Sequence, residues 1–195
     1  MLKERDREIL RWIEDYKAIS VPQATEIFFN GIYESARRRL KQLEAMQLLK
    51  SYKSQLSEEK VYYQDKKLKD HDLLVYDFIK EVYKQGGILR KLKLQPRYLK
   101  DNIRPDAYIE FAYKRNVYFI ILEVDYTHYT SNSKMQLYEK LYKEETLQKD
   151  CYGTFPIIII SRPSLNDIRY NSSNFEVIYT DLRFKNLSRL LFDSY

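Results

Sequence analysis

The chain has 195 residues, of which 44% are hydrophobic and 32% are charged. This composition argues against wholesale disorder, and the length fits one large domain or two small ones. The net charge of +6 gives a mild bias towards polyanionic partners.

Cysteine usage and hydropathy predict the compartment. A single cysteine, Cys151, excludes an internal disulfide framework and a cysteine-based zinc site, and it suits a reducing environment. Residues 1–7 are charged rather than apolar, so we expect no signal peptide. The longest apolar runs, 118–122 and 155–160, are too short to span a bilayer. We therefore expect a cytoplasmic protein with no membrane partner.

Hydrophobic periodicity predicts three helices at the start of the chain, over 5–16, from Ser20 to about residue 30, and over 33–46. Ser20 is the expected N-cap of the second helix, and Gln23 completes a capping box. Two short strands, 48–53 and 59–63, are predicted to follow around a polar tip.

This order is typical of a winged helix-turn-helix domain, because a β-hairpin directly after the third helix forms the wing. Residues 36–40, 43–46 and 48–49 resemble the recognition helix and the start of the wing in many winged-helix regulators. Ser35, Arg37, Arg38 and Lys41 are predicted to enter the major groove, and Lys50, Lys53 and Lys60 to contact phosphates. The alternative is a solvated helix face in a protein-binding winged helix.

The polar, charge-dense run 64–72 predicts the boundary between a first domain, 1–66, and a second domain, 67–195. The second domain should contain, in order, a helix, three strands, a helix, a strand, a helix, a strand and a helix, over 72–84, 88–94, 104–111, 118–125, 135–149, 156–161, 164–170, 175–179 and 182–192. This order predicts an α/β mixed sheet with helices on both faces, so the whole chain is expected to be α+β.

Acidic residues mark the second and third of these strands. Asp106 begins one, and Glu123 and Asp125 end the other. If the two strands pair as a hairpin, Asp106 and Glu123 fall near the same end. Two converging carboxylates are costly unless a cation or a proton offsets them, and a divalent metal is a common solution. Just before this hairpin lies the densest basic segment of the chain, 84–104.

Two resemblances follow from these residues. Pro105-Asp106 and Glu123-Val124-Asp125 resemble the two halves of the PD-(D/E)XK nuclease motif. With the predicted winged helix, residues 104–107, 119–125 and 140–142 resemble the replication-relaxation family of plasmids and integrative mobile elements.

The family resemblance implies a DNA-binding accessory factor for replication or conjugative transfer, with a non-catalytic nuclease-like domain. It implies double-stranded DNA as a partner and leaves open a relaxase or replication protein as a second partner, and a homodimer. The resemblance implies no definite cofactor for such a DNA-binding factor. A plain transcriptional regulator with a sensory domain has no small-molecule fingerprint to support it, because four glycines are too few for a Gly-rich phosphate loop.

The alternative is a metal-dependent endonuclease. The fold resemblance then implies Asp106 and Glu123 as ligands of Mg²⁺ or Mn²⁺. Asp125 stands at the usual lysine position, so the ammonium would come from Lys140 in the next helix, or less favourably from Lys134. His128 is a minor candidate as a base or a ligand.

Overall fold

The computed structural model describes residues 2–126, 128–164 and 169–192. The chain divides into two compact units, Met1–Lys84 (unit 1) and Gln85–Tyr195 (unit 2), each of which combines helices with a sheet. The protein is therefore α+β, as the sequence predicts. In the described part of the chain, no helix combines the length and the apolar character needed to cross a membrane.

Unit 1 contains four helices and a small antiparallel sheet. Its elements are α1 (Glu4–Tyr16), β1 (Ala18–Ser20), α2 (Val21–Phe28), α3 (Tyr33–Ala45), β2 (Lys50–Lys53), β3 (Lys60–Tyr63) and α4 (Asp70–Lys84). The strand order is β1-β3-β2. The hairpin predicted after the third helix is confirmed as β2–β3. The sequence did not predict β1, which is only three residues long.

The start of α2 is fixed by the capping box that the sequence predicts. The Ser20 hydroxyl accepts a hydrogen bond from the Gln23 N–H at 3.3 Å, and the Ser20 N–H donates to Gln23 Oε1 at 2.9 Å. Two backbone groups that a helix end leaves unsatisfied therefore find partners within the same turn.

Helix α4 belongs to unit 1, so the compact units divide later in the chain than the boundary predicted after residue 66. The Gln23 side chain of α2 donates to the Leu73 carbonyl at 3.0 Å, and the Tyr76 hydroxyl donates to the Tyr16 carbonyl at 2.6 Å. The ring of Trp12 packs against Tyr76. The polar run 64–69 is thus a connection inside unit 1, because the apolar side of the helix that follows it completes the core of that unit.

Unit 2 is built on a five-stranded mixed sheet. Its elements are β4 (Ile88–Leu94), β5 (Ala107–Tyr113), β6 (Asn116–Val124), α5 (Asn132–Lys143), α6 (Thr146–Asp150), β7 (Ile157–Arg162) and β8 (Val177–Asp181). The strands lie in chain order, with β4, β5 and β6 antiparallel and β6, β7 and β8 parallel. The four consecutive isoleucines predicted to form a central strand lie in β7, between β6 and β8.

Both faces of the inner strands of this sheet are covered. One face packs under α5 and α6 through Ile121, Ile160, Tyr138 and Leu147. The opposite face is also buried along β5 and β6. On that face, Phe111 packs against Phe192 near the end of the described chain.

Three predicted elements of unit 2 differ from the structure. The helix predicted over 135–149 is two helices, because Glu145 adopts a left-handed backbone (φ 54°) between α5 and α6. The helix predicted over 182–192 is reduced to a π-helical turn, Ser188–Phe192. Most of the helix predicted over 164–170 lies outside the described residues.

Candidate functional site

Helix α3 has a buried apolar face and an exposed basic face. The buried face carries Ala36, Leu40 and Leu43. Arg37, Arg38 and Lys41 are exposed, and Ser35 is half-buried. This division follows from the helical period, which places residues three and four apart on the same side. The residues predicted to enter a DNA groove are therefore accessible on one helix.

The β2–β3 hairpin packs beside this helix. The Lys60 ammonium donates to Glu44 Oε2 of α3 at 2.7 Å, and the Tyr33 hydroxyl at the start of α3 donates to Glu59 Oε2 at 3.2 Å. The charges of Lys60 and Arg37 both lower the pKa of Tyr62, although burial raises it overall. The exposed side of α3 and the hairpin thus form one continuous surface, which we call the α3–hairpin surface.

Carboxylates offset part of the positive charge on this surface. Three predicted DNA contacts are paired: Arg37 with Glu34, Lys53 with Glu58, and Lys60 with Glu44. Exposed pairs of this kind contribute little to stability, so a phosphate can compete for the same cations. Arg38, Lys41 and Lys50 make no side-chain hydrogen bond or ion pair within the described ranges.

Lys50 lies apart from the hairpin tip. It lines a groove with Arg7, Leu10 and Arg11 of α1. Lys53 and Lys60 lie opposite each other on β2 and β3, three residue pairs closer to the tip of the hairpin than Lys50. The structure therefore groups Lys53 and Lys60 with the basic face of α3, and places Lys50 beside α1.

Arg39 has a structural role. Its guanidinium binds both oxygens of Asp6 in α1, with Nε 2.7 Å from Oδ1 and Nη2 2.5 Å from Oδ2. The hydrogen bond from Arg39 lowers the pKa of the Asp6 carboxyl. The Asp6 side chain is only 2% exposed, so this pair ties α3 to α1 inside the unit.

The acidic end of unit 2 forms as the sequence predicts. In the β5–β6 register Ala107 lies opposite Leu122, so Asp106 comes opposite Glu123. The Asp106 N–H donates to the Leu122 carbonyl at 3.1 Å, and the Val124 N–H donates to Asp106 Oδ2 at 2.7 Å. Directly opposed residues of an antiparallel pair share a face, so the two carboxylates converge.

Glu123 is buried and held by two donors from α5. The Lys134 ammonium lies 2.6 Å from Oε2, and the Tyr138 hydroxyl donates to Oε1. Burial raises the pKa of the Glu123 carboxyl to about 7, although Lys134 and Tyr138 oppose this shift, and the charge of Asp106 adds to it. Burial also raises the pKa of the Tyr138 phenol, which keeps the hydroxyl a donor.

Lys134, not Lys140, supplies the ammonium at the acidic end. Met135, Tyr138 and Leu141 form the buried side of α5, and Lys140 is exposed on another side. Lys134 precedes Tyr138 by one helical turn, so the same side carries both donors. The spacing of Lys134, Tyr138 and Leu141 was the sequence signal that could have identified Lys134, and Tyr138 was not predicted as a site residue.

Asp125 is engaged elsewhere. Its Oδ1 accepts hydrogen bonds from the Thr130 N–H and hydroxyl at 2.8 and 2.7 Å, and its Oδ2 lies 3.0 Å from Arg162 Nη2. Arg162 is the last residue of β7, one position beyond the strand predicted over 156–161, and its side chain is buried. Asp125 therefore joins the end of β6 to β7. His128 is exposed.

The donors at the acidic end do not fit Mg²⁺ or Mn²⁺. A divalent cation shared by Asp106 and Glu123 would meet the Lys134 ammonium, which already forms an ion pair with Glu123. Tyr138 holds the second oxygen of Glu123. Within the described ranges, no group of three or more His, Cys, Asp or Glu side chains could hold a metal ion.

Comparisons with known proteins add no relative: no family model, no curated protein and no solved structure matches the chain.

Proposed function

We propose that this chain is a double-stranded DNA-binding protein in which unit 1 acts as a winged helix-turn-helix domain. The observation that carries this proposal is the α3–hairpin surface. It presents Arg37, Arg38 and Lys41 on an exposed helix face with a β-hairpin directly beside them. Such a helix fits the major groove, and hairpin lysines such as Lys53 suit the neighbouring phosphates.

The proposed biological role is that of an accessory factor for replication or conjugative transfer of a plasmid or integrative element. The likeness of residues 104–107 and 119–125 to the replication-relaxation family supports this role. Unit 2 would then be a non-catalytic domain of the PD-(D/E)XK nuclease-like type. A relaxase, a replication protein or a second copy of the chain would be its protein partner.

The experiment that tests DNA binding is gel retardation of fragments from the parent element. Arg38→Ala/Lys41→Ala should abolish the retardation, because it removes two exposed cations of α3 that form no ion pair with any described residue. The matched control, Lys17→Ala/Lys84→Ala, removes the same charge from the exposed ends of α1 and α4. Retardation that survives the first change, or that both changes weaken equally, would contradict the proposal.

A metal-dependent endonuclease is the second candidate, and one contact favours it: Lys134 lies beside Glu123, where such an enzyme needs an ammonium. Because the donors do not fit a divalent ion, we expect no nicking of supercoiled plasmid with Mg²⁺ or Mn²⁺. Nicking that disappears on Asp106→Ala would establish the nuclease and overturn the non-catalytic role proposed for unit 2.

A further inference from the structure

The first strand of unit 2 is an edge strand with a basic face. Among the described strands, β4 pairs only with β5. Between residues 90 and 104 the chain has six basic residues and one acidic residue. Lys91, Lys93 and Lys100 are exposed, and within the described ranges they have no ion pair. The positive charge of this edge is therefore largely uncompensated.

The lysines of β4 share one face of the sheet. In the β4–β5 register Lys91 lies opposite Glu110 and Lys93 opposite Tyr108. In the β5–β6 register Glu110 lies opposite Phe119. Because directly opposed residues of antiparallel strands point to the same side, Lys91, Lys93 and Phe119 face the same way.

An exposed tyrosine stands on that same face. The Tyr152 side chain is 82% exposed, and its ring centroid lies 6.0 Å from that of Phe119. The preceding residue, Cys151, is buried, with its sulfur 3.3 Å from the hydroxyl of Tyr108, the partner of Lys93. The protein thus holds a large aromatic ring in solvent close to the β4 lysines.

The acidic residues near this face are few and mostly paired. Glu110 forms an ion pair with Arg90 at 3.3 Å, and Asp101 forms one with Arg97 at 3.2 Å. Asp150 is exposed beside Cys151. The net charge around this face is therefore strongly positive.

We infer that this face binds single-stranded nucleic acid, with Lys91 and Lys93 on the phosphates and a base stacked on Tyr152. Cations that follow a backbone, next to an exposed aromatic ring, are the pattern by which proteins hold unpaired strands. The bases of a duplex are already stacked on each other, so a duplex would leave the Tyr152 ring without a stacking partner. The inference concerns unit 2 alone and does not depend on the duplex contact proposed for unit 1.

The test is fluorescence anisotropy of labelled oligothymidylate with the full-length protein. Lys91→Ala/Lys93→Ala should weaken binding roughly tenfold at physiological salt and reduce the salt slope by about 1.4, since each phosphate contact on a single strand contributes about 0.7. Tyr152→Ala should weaken binding roughly five- to hundredfold, whereas Tyr152→Phe, which keeps the ring, should bind like the unchanged protein.

The matched control is Arg183→Ala/Lys185→Ala, which removes two exposed cations just after β8, at the opposite edge of the sheet. It should leave the affinity unchanged. Oligouridylate measured in parallel shows whether RNA binds as well as DNA. No binding by the unchanged protein would overturn the inference and leave the lysines only a role in protecting the edge strand from pairing. Equal losses from both edges, or no effect of Tyr152→Ala, would also overturn it.

Discussion

Glu123 is a carboxyl group whose protonation should change the stability of the folded chain. Its pKa rises from 4.5 to about 7 because the group is buried. A group that binds its proton more tightly in the folded state stabilises the protein at low pH. That contribution is complete below pH 4.5 and is lost as the pH rises through about 7.

Glu123→Gln tests this dependence, because it keeps the shape of the side chain and removes the titration. Relative to this variant, the free energy of unfolding of the unchanged protein should fall by on the order of 3 kcal/mol as the pH rises from about 4.5 to about 8. Urea denaturation of both proteins across that range measures the difference. A difference that stays flat, or that grows with pH, would show that Lys134 lowers the pKa of Glu123 at least as much as burial raises it.

Arg39 and Arg38 are adjacent but should respond differently to truncation. Arg39→Ala leaves the buried Asp6 carboxylate without its bidentate partner, which should destabilise the fold by about 3 kcal/mol. Arg38→Ala removes an exposed side chain, and its effect on unfolding should stay within about 0.5 kcal/mol. Guanidinium denaturation of the two variants checks this, and similar losses from both would mean that the Asp6 pair does not form.

At the scale of elements, α4 should be necessary for unit 1 to fold. Its buried residues are Leu73, Leu74, Val75, Tyr76, Phe78, Ile79 and Val82. A fragment that ends at Lys84 should give helical circular dichroism and a cooperative urea transition. A fragment that ends at Lys66, the boundary that the sequence alone predicts, should not, because it exposes the surface that α4 covers. Cooperative unfolding of the shorter fragment would show that α4 is dispensable.

Elements with a local signal could be predicted from the sequence. The capping box of Ser20 and Gln23, the hairpin after α3, and the convergence of Asp106 with Glu123 depend on neighbouring residues or on one tight turn. Strand β1 could not be predicted, because its three residues take their conformation from pairing with the distant β3.

Contacts between residues far apart in the sequence could not be predicted either. Arg39 meets Asp6 across 33 positions, and Gln23 meets the Leu73 carbonyl across 50 positions. No periodicity identifies such partners. The choice between Lys134 and Lys140 depended on which side of α5 faces the sheet, and only the spacing of Lys134, Tyr138 and Leu141 indicated that side.

At the scale of the whole molecule, we propose duplex binding by unit 1 and no cleavage by unit 2. Within unit 2, the Lys134 ammonium and the Tyr138 hydroxyl already bind the two oxygens of Glu123. The α3–hairpin surface instead keeps Arg38 and Lys41 exposed. The net charge of +6 favours association with DNA in general, but only a defined surface gives a defined number of phosphate contacts.

The salt dependence of duplex binding therefore tests the central claim most directly. Affinity for a cognate duplex, measured by anisotropy across a range of salt concentrations, should fall linearly on logarithmic axes with a slope set by the phosphate contacts. Lys53→Ala/Lys60→Ala, which removes the two hairpin lysines assigned to phosphates, should make that slope shallower by about 1.8, while Lys17→Ala/Lys84→Ala should leave it unchanged. An identical slope for the first variant and the unchanged protein would contradict the assignment of duplex binding to the α3–hairpin surface.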